Sequence, residues 1–335
     1  MKKAPLHFLS LVLVFVSLTA IGADEKIEVL LIDGQNNHAW QETTPVLVSI
    51  LESSGRFDVS VTTTPPGPSR PPRLGKNPSE EGKKKFAEEM KAWEANEAVR
   101  KKESKAAWDA WRPDFSQFDA VVSNYNGELW PEEVRTAFEE YVKSGGGLVS
   151  VHAANNAFSE WRAYNEMIAV GGWGGRSELS GPYLRLRGDS WTEDPTKGKG
   201  GSHGARHEFL VEIQDAEHPI TKGLPSKWLH AEDELYDRLR GPALNVKVLA
   251  AAFSDEETGG SGEYEPMLMV VDYGKGRVFH TTLGHNTTAM SDVGFQETVK
   301  RGVEWTATGE VTFPPVDATE LSSEEVSVRD LAVAE

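Results

Sequence analysis

The sequence predicts a doubly wound α/β fold with a mostly parallel sheet, a C-terminal β-hairpin and a helical insertion. The first observation is the nearly continuous apolar run IEVLLID at residues 27–33, which is typical of a strand buried on both faces of a parallel sheet. The second is that such runs alternate with segments of helical length. In the first half of the chain, strands are predicted at 27–33, 57–63, 118–124 and 147–151, and helices at 43–51 and 131–144.

The second half of the chain is predicted to be rich in β-structure. Residues 207–213 alternate apolar and polar side chains, and residues 246–253 are apolar. The segment MLMVVDYGKGRVFHTTLGH, residues 267–285, predicts a β-hairpin that turns at the Gly-Lys-Gly of residues 274–276. A final helix at residues 295–306 is expected to pack back on the sheet.

Two segments depart from this α/β order. Residues 65–111 begin with the spacer PPGPSRPPR and continue from residue 79 with Lys, Glu and Ala, which predicts an extended spacer and one long amphipathic helix. Either a solvated surface helix or an arm that docks a partner fits this composition. Residues 310–335 are predicted to be an acidic tail whose last dozen residues fray, so the α/β domain is predicted to span residues 24–309.

Residues 1–23 have the features of a secretory signal peptide. Lys2 and Lys3 precede a short apolar run at residues 8–21, and small residues up to Ala23 provide a cleavage site. We therefore expect an exported protein, periplasmic or secreted, with no membrane span after cleavage. An uncleaved N-terminal anchor is the alternative.

Charge and cysteine content exclude several kinds of function. The formal net charge is −17, and loss of the two lysines of the signal peptide makes the mature chain more acidic still. Nucleic-acid partners and anionic membrane surfaces are therefore not expected. The chain has no cysteine, which excludes disulfides, thiolate metal sites and thiol catalysis. No nucleotide cofactor is expected.

Polar side chains collect where the predicted strands end, which is where ligands bind in an open α/β sheet. His38 follows the first strand, His152 the fourth, and His285 the last strand of the hairpin. Because parallel strands deliver their carboxyl ends to one edge, we expect these three imidazoles to converge with Glu234 close by, if the last hairpin strand runs with the others. Each histidine taken singly also has a structural interpretation, as a hydrogen-bonded residue that locks a turn. Amides at the same strand ends are candidate substrate-binding residues: Asn36, Asn124 and Asn155.

The stretch GGGLVSVHAANNAF, residues 145–158, places His152 at the sharpest of these turns. A strand, a tight turn and resumed helical sequence have the layout of a nucleophile elbow, whose usual occupant is serine or cysteine. The occupant here is an imidazole, which can act as an acid or base or bind a metal.

Two further segments supply candidate binding residues. The loop GGWGGR, residues 171–176, surrounds Trp173 with glycines, and the indole face suits either stacking on a sugar ring or packing on the sheet edge. The segment HAEDELYDRLRGP, residues 230–242, brings carboxylates together before Tyr236. Three roles fit Glu234 in this segment: a general base, a metal ligand, or part of a capped and solvated turn. Arg176 and Tyr236 complete the predicted substrate-binding set.

These residues together resemble the ThuA-like (trehalose utilisation) family, whose fold is similar to the flavodoxin-like fold of class I glutamine amidotransferases. The resemblance runs from residue 27 to residue 309, apart from the insertion, and its most specific motif is YGKGRVFHTTLGH at residues 273–285. The GGGLVSVH turn, HPITKGLP and DELY support it. In the amidotransferases the elbow residue is a cysteine that forms an acyl-enzyme with glutamine. Because His152 takes that place here, glutamine amidotransferase activity is excluded.

The resemblance implies a role in carbohydrate metabolism, on a disaccharide or its 3-keto-glycoside, with a functional link to a sugar dehydrogenase that forms the ketone. A keto-sugar hydrolase, lyase or isomerase needs a base and an oxyanion stabiliser. A divalent metal such as zinc, bound by His38, His152 and His285, can polarise the ketone, and Glu234 is the fourth catalytic candidate. The alternatives are an interaction protein that docks through the insertion, or a non-catalytic carbohydrate-binding module that stacks sugars on Trp40, Trp130, Trp161 and Trp173.

Overall fold

The computed structural model describes residues 26–331, which form a central nine-stranded sheet, two short two-stranded sheets and seven α-helices. The strands are β1 (Ile27–Asp33), β2 (Phe57–Thr63), β3 (Ala120–Ser123), β4 (Gly147–Val151), β5 (Tyr183–Arg187), β6 (Ser190–Asp194), β7 (Ser202–His203), β8 (His207–Ile213), β9 (Lys227–Asp233), β10 (Tyr236–Asp237), β11 (Val246–Ser254), β12 (Glu263–Tyr273) and β13 (Gly276–Thr281). The helices are α1 (Trp40–Glu52), α2 (Glu80–Ala95), α3 (Glu97–Ala110), α4 (Glu132–Ser144), α5 (Arg162–Ile168), α6 (Thr287–Met290) and α7 (Val293–Thr308).

The predicted signal peptide, residues 1–23, lies outside the described residues. Its cleavage and the export of the chain therefore stay predictions. Along residues 26–331, no helix combines the length and the apolar composition that a membrane crossing requires.

The central sheet confirms the predicted α/β fold and its hairpin. The strand order is β2-β1-β3-β4-β13-β12-β11-β8-β9. The first five of these strands are parallel to one another, and each of the last four pairs antiparallel with its neighbours. β12 and β13 form the predicted hairpin, which β11, β8 and β9 extend. The hairpin therefore joins a parallel half of the sheet to an antiparallel half.

Helices cover both faces of the sheet. Because successive residues of a strand point to opposite faces, each central strand packs against helices on both sides. In β1, Ile27, Val29 and Leu31 pack on one face in the same cluster as residues of α1 and α7. Leu30 and Ile32 pack on the other face with residues of α4 and α5. The apolar run of β1 is continuous because both of its faces are covered.

The insertion contains two helices rather than the single long helix predicted. Helix α2 ends at Ala95 and α3 begins at Glu97, because Asn96 leaves the helical conformation (φ −96°, ψ 4°). The Asn96 side chain instead donates to the Ala92 carbonyl oxygen at 2.9 Å. Neither helix buries a residue. This packing favours a solvated surface position for the insertion.

The insertion is anchored to the main core at its C-terminal end. Trp111 is buried with its ring centroid 5.3 Å from that of Trp130, and its indole N–H donates to Thr62 Oγ1 at 3.0 Å. Trp108 packs against the same cluster. The C-terminal end of the predicted insertion therefore packs on the main core, and its boundary at residue 111 stays a prediction.

Trp111→Ala is expected to lower the free energy of unfolding by about 3–5 kcal/mol, because it leaves a cavity where a large aromatic side chain was buried. Trp93→Ala is the matched control. Trp93 lies on α2, which buries no residue, so its removal is expected to change stability by about 0.5 kcal/mol or less. Urea denaturation followed by circular dichroism measures both variants. Equal stability of Trp111→Ala and the wild type would place Trp111 outside the core.

Residues 310–331 form a strap over β9 and α7 rather than a free tail. Leu321 is buried in the main core. The strap accepts a hydrogen bond from the Leu229 N–H of β9 at 2.8 Å, and Arg329 forms an ion pair with Glu297 of α7 at 2.8 Å. The expectation that the last dozen residues fray is therefore wrong as far as residue 331.

Candidate metal and substrate site

Four strand ends deliver the predicted catalytic residues to one edge of the sheet. β1, β4 and β13 are parallel. β9 runs in the same direction as β13, because an even number of antiparallel pairings separates them. The residues beyond the carboxyl ends of these strands are His38, His152, His285 and Glu234. The structure brings all four together.

The three imidazoles surround Glu234. Ring centroids lie 5.0 Å apart for His38 and His152, 4.5 Å for His38 and His285, and 5.6 Å for His152 and His285. Glu234 Oε2 lies 3.7 Å from His152 Nε2 and 3.2 Å from His285 Nδ1. One ligand atom from each of the four residues lies within 4.8 Å of the others. These residues are the His₃Glu cluster.

His152 occupies the predicted elbow. Its φ is +45°, a left-handed conformation that is uncommon outside glycine, and the residue is 3% exposed. Its Nδ1 donates to the Thr282 carbonyl oxygen at 2.7 Å, since a carbonyl can only accept. In the neutral ring, Nε2 then carries the lone pair, and it faces Glu234 with no hydrogen-bond partner in the described part of the chain. The backbone therefore sets both the position and the tautomer of this ring.

The His₃Glu cluster has the donors and the spacing of a transition-metal site. Three imidazoles and a carboxylate are ligands that zinc accepts, and two ligands held at about 2.0–2.1 Å in a tetrahedron lie about 3.4 Å apart. The distances of 3.7 and 3.2 Å from Glu234 to His152 and His285 are close to that separation. His152 Nε2 and His285 Nδ1 are buried and lack hydrogen-bond partners within residues 26–331, so a metal would satisfy them.

The electrostatics of the cluster favour a neutral His38 and an ionised Glu234. Burial, and after it the neighbouring His152 and His285, lower the pKa of His38 to about 4. Burial raises the pKa of Glu234, but its contacts with His152 and His285 outweigh burial and hold this pKa well below its ordinary value. A neutral imidazole and a carboxylate are the forms that bind a metal.

The cluster opens into a cavity of about 390 Å³, the site pocket. Trp173 and Tyr236 contribute aromatic surface, with ring centroids 4.7 Å apart and an interplanar angle of 60°. Tyr236 also packs on His152, with 4.1 Å between ring centroids. The residues that line the pocket include no lysine or arginine: Asn37, His38, Asn126, Asn156, Trp173, Gly174, His203, Glu234 and Tyr236.

Similar proteins identify the family of this chain. The model of the ThuA family, described as trehalose utilisation, matches residues 74–306. A crystal structure of a ThuA-like protein from Parabacteroides merdae ATCC 43184 is 42% identical, with a TM-score of 0.77, over 91% of this chain and 98% of that one. The chain belongs to the ThuA family.

A second structure agrees with the fold of this ThuA family member. A ThuA-like protein from Bacteroides uniformis ATCC 8492 is 16% identical, with a TM-score of 0.51, over 89% of this chain and 98% of that one. At that identity the likeness supports the fold alone. No curated protein matches the chain. Family membership therefore rests on the ThuA model and the Parabacteroides structure.

Two amides predicted to bind substrate in this ThuA family member are structural. Asn124 is buried and donates to two threonine hydroxyls of α1, which ties β3 to that helix. Asn155 is buried with its Nδ2 3.0 Å from His280 Nε2. Asn36 lies outside the pocket lining, where its side chain accepts from the His38 N–H at 3.0 Å. Asn36 therefore shapes the loop that carries His38 rather than contacting a ligand in the pocket.

Arg176 is also structural. The residue is 3% exposed, and its guanidinium donates to the carbonyl oxygens of Asn156, Ala157 and Gly172 and to Asn165 Oδ1. Every guanidinium nitrogen has a partner inside the protein, so none is left for a substrate. Its role is to hold the loop of Trp173 against the elbow.

The polar residues of the pocket that were not predicted from the sequence are Asn37, Asn126, Asn156 and His203. His203 lies on β7, and its Nδ1 donates to the Gly204 carbonyl oxygen at 2.7 Å. Nε2 then carries the lone pair of the neutral ring and lies 3.8 Å from Glu234 Oε1. The sequence signal that could have placed His203 near Trp173 is the glycine-rich stretch KGKGGSHG. In this stretch Gly201 (φ +84°) approaches the backbone of Trp173 too closely for any side chain.

Three buried residues behind the cluster form an Asp–His–Asp bridge. His230 Nε2 lies 3.0 Å from Asp233 Oδ2, and His230 Nδ1 lies 3.0 Å from Asp292 Oδ1. All three residues are 0% exposed. Burial lowers the pKa of His230, but the two carboxylates outweigh burial and raise this pKa to about 10. The ring is therefore charged at neutral pH.

The Asp–His–Asp bridge holds the backbone of two cluster residues. Asp233 accepts from the N–H groups of Glu234 at 2.7 Å, Gly284 at 2.7 Å and His285 at 3.1 Å. Asp292 caps helix α7 by accepting from the N–H of Phe295 at 2.9 Å. The bridge therefore joins the ends of β9 and β13 to the start of α7, and it positions Glu234 and His285.

Proposed function

We propose that this ThuA family member is an exported enzyme of carbohydrate metabolism that isomerises or cleaves an oxidised sugar, a 3-keto-glycoside. The observation that carries the proposal is the His₃Glu cluster, in which ligand atoms from His38, His152, His285 and Glu234 lie together. A divalent metal such as zinc would bind there and would polarise the ketone oxygen of the substrate.

The site pocket suits a neutral sugar. Trp173 and Tyr236 offer aromatic surface to the apolar face of a sugar ring. Asn37, Asn126 and Asn156 line the pocket with amides, which both donate to and accept from hydroxyl groups. Because no lysine or arginine lines the pocket, a sugar phosphate would find no positively charged side chain there. The substrate class is therefore a sugar without phosphate.

Proton transfer is assigned to His203 rather than to Glu234. A carboxylate with a pKa well below its ordinary value is a weak base, so Glu234 is better suited to hold a cation. His203 lines the same pocket, and Nε2 carries the lone pair of its neutral ring. Nε2 takes the proton from the carbon next to the ketone, and the electron pair of that C–H bond moves towards the ketone oxygen to form an enolate. In isomerisation the proton then goes to the former ketone carbon, while the proton of the adjacent hydroxyl moves to the former ketone oxygen. In cleavage the enolate electron pair expels the glycosidic oxygen as the C–O bond breaks, and that oxygen takes the proton.

A functional partner follows from the chemistry of the substrate. A 3-keto-glycoside arises by oxidation of a sugar hydroxyl, so a sugar dehydrogenase would supply it. The steps assigned to this chain move protons and break or rearrange bonds without net oxidation. The proposed reaction therefore needs no nucleotide cofactor in this protein.

A non-catalytic carbohydrate-binding module is the alternative, and the position of Trp173 in the site pocket supports it. Trp130 and Trp161 are buried in the core and cannot stack on a ligand. Sugar stacking also does not require a cluster of imidazoles whose nitrogen atoms lack hydrogen-bond partners in the described part of the chain. The cluster therefore favours the enzyme.

The test is to incubate the zinc-loaded protein with 3-keto-trehalose and with trehalose, and to follow the products by NMR. We expect the keto-sugar alone to be converted, and His203→Gln to slow conversion by about a hundredfold or more. His207→Gln is the matched control, because His207 Nδ1 also donates to a backbone carbonyl but the ring lies outside the pocket. Binding of keto-sugars without turnover would contradict the enzyme and favour the module. Turnover unchanged by His203→Gln would remove His203 from the mechanism.

A further inference from the structure

A second cavity, of about 690 Å³, lies between the helices of the insertion and its Pro-rich spacer. Pro66 and Pro68 line it from the spacer, Trp93 from α2, Arg100 from α3, and Glu128 from the loop after β3. This cavity is the insertion cleft. It shares no lining residue with the site pocket.

The loop after β3 links the lining of the insertion cleft to that of the site pocket. Asn126 lines the pocket and Glu128 lines the cleft, so two steps of chain, about 7 Å at most, separate their Cα atoms. Gln35 holds this junction. Its Oε1 accepts from the Glu128 N–H at 3.0 Å, and its Nε2 donates to the Pro65 carbonyl oxygen at 2.7 Å. The loop after β3 therefore contributes to the lining of both the pocket and the cleft.

Two buried polar atoms in residues that line the cleft lack partners in the described part of the chain. One is Arg100 Nη2, a donor, and the other is Glu128 Oε2, an acceptor when ionised. Buried polar atoms without partners are rare in folded proteins, and such atoms at a cavity indicate a ligand or water. A hydroxyl group can accept from Arg100 and another can donate to Glu128. The pair therefore fits a ligand that carries several hydroxyls.

The aromatic part of the cleft is held in place. The Arg100 guanidinium lies over the Trp93 ring, 4.2 Å from its centroid, and the Trp93 indole N–H donates to Ser69 Oγ at 3.4 Å. The charges of the cleft lining cancel, because it contains three acidic residues and three basic residues: Glu97, Glu103, Glu128, Arg100, Lys101 and Lys105. A strongly charged ligand of either sign would meet repulsion as well as attraction, which favours a neutral one.

We propose that the insertion cleft binds the second, unreacting sugar unit of a glycoside whose oxidised unit occupies the site pocket. This inference rests on the proposed function, since it assigns the cleft to the same substrate. Trp93 and the proline rings provide apolar surface for that unit, and Arg100 and Glu128 bind its hydroxyls. The insertion thereby makes the enzyme selective for a disaccharide over a monosaccharide, because contacts with a remote substrate unit contribute to binding at the reacting one.

The experiment compares the binding of 3-keto-trehalose and 3-keto-glucose by isothermal titration calorimetry. We expect the wild type to bind the disaccharide about tenfold more tightly, which is the scale of one hydrogen bond to a charged group. Arg100→Ala and Trp93→Ala should remove this preference without changing the affinity for 3-keto-glucose. Arg70→Ala is the matched control, because Arg70 is exposed and does not line the cleft.

NMR of the Trp93 indole N–H gives a second readout. Its signal, assigned by its loss in Trp93→Ala, should shift when 3-keto-trehalose binds and stay in place with 3-keto-glucose. If both sugars bind equally well and the indole signal stays unchanged, the cleft proposal fails while the proposed function stands. If neither sugar binds the zinc-loaded wild type, both proposals are overturned.

Discussion

Replacing His152 and His285 together with alanine is expected to abolish zinc binding. The wild type should retain about one zinc ion per chain after loading and gel filtration, because three imidazoles and a carboxylate are enough ligands to hold zinc. The double variant keeps only His38 and Glu234, which are too few ligands for a stable site. Metal content measured by mass spectrometry, with calorimetric titration of zinc, checks this result.

Zinc is also expected to stabilise the wild type and to leave the double variant unchanged. A ligand present at about 100 times its dissociation constant stabilises the folded state by about 2.7 kcal/mol, and a chelator should remove that increment. His207→Ala is the control, because His207 lies outside the cluster. A double variant that still binds zinc with unchanged stoichiometry, or a wild type that binds none, would show that the cluster is not a metal site.

His230→Gln is expected to lower the free energy of unfolding by about 3–5 kcal/mol, because it leaves Asp233 and Asp292 buried without their shared positive charge. The same change should weaken zinc binding by about ten- to a hundredfold, as the loss of residues that support metal ligands does. The reason is that Asp233 accepts from the N–H groups of both Glu234 and His285.

The stability loss in His230→Gln should depend on pH. The pKa of His230 is raised from 6.5 to about 10, so its contribution is complete below pH 6.5 and is lost as pH rises towards 10. The deficit of the variant should therefore narrow as pH rises through that range. Urea denaturation at several pH values measures it.

His280→Gln is the matched control for a buried histidine without a carboxylate partner. Burial lowers the pKa of His280 to about 4, so its contribution is present above pH 6.5 and is lost as pH falls towards 4. The two variants should therefore have opposite pH profiles. A His230→Gln deficit that stays constant from pH 6.5 to 10 would show that His230 is neutral in the fold. Unchanged zinc affinity would show that the bridge does not position the cluster.

Local sequence patterns were enough to predict the α/β fold and part of the site. Continuous apolar runs identify buried parallel strands because both faces of such a strand are covered, as they are for β1. His38, His152 and His285 each follow such a strand, and parallel strands end at the same edge. The convergence of His38 and His152 therefore follows from parallel strand direction, which the alternation of strands and helices predicts, whereas that of His285 also required the last hairpin strand to run with the others.

The position of Glu234 depended on pairing that the sequence does not show. Glu234 reaches the cluster because β9 lies at the far end of the antiparallel half of the sheet and still runs in the same direction as β13. Antiparallel pairings between strands that no tight turn connects leave little trace in the sequence, because such strands are separated by loops of variable length. The DELY motif identified Glu234 as a candidate, and the pairing of β9 in the sheet determined its position.

The roles of single polar residues were decided by the tertiary structure. Asn124 and Asn155 stand near strand ends and Arg176 stands in the glycine-rich loop, but their donors are used by groups from other segments of the chain. His203 was not among the predicted site residues, and it faces the site pocket because β7 pairs with β10. The sequence does not distinguish a polar side chain that faces a pocket from one that forms a hydrogen bond with a carbonyl group of the protein. Which of the two it meets depends on packing between segments far apart in the chain, and that is decided only when the chain folds.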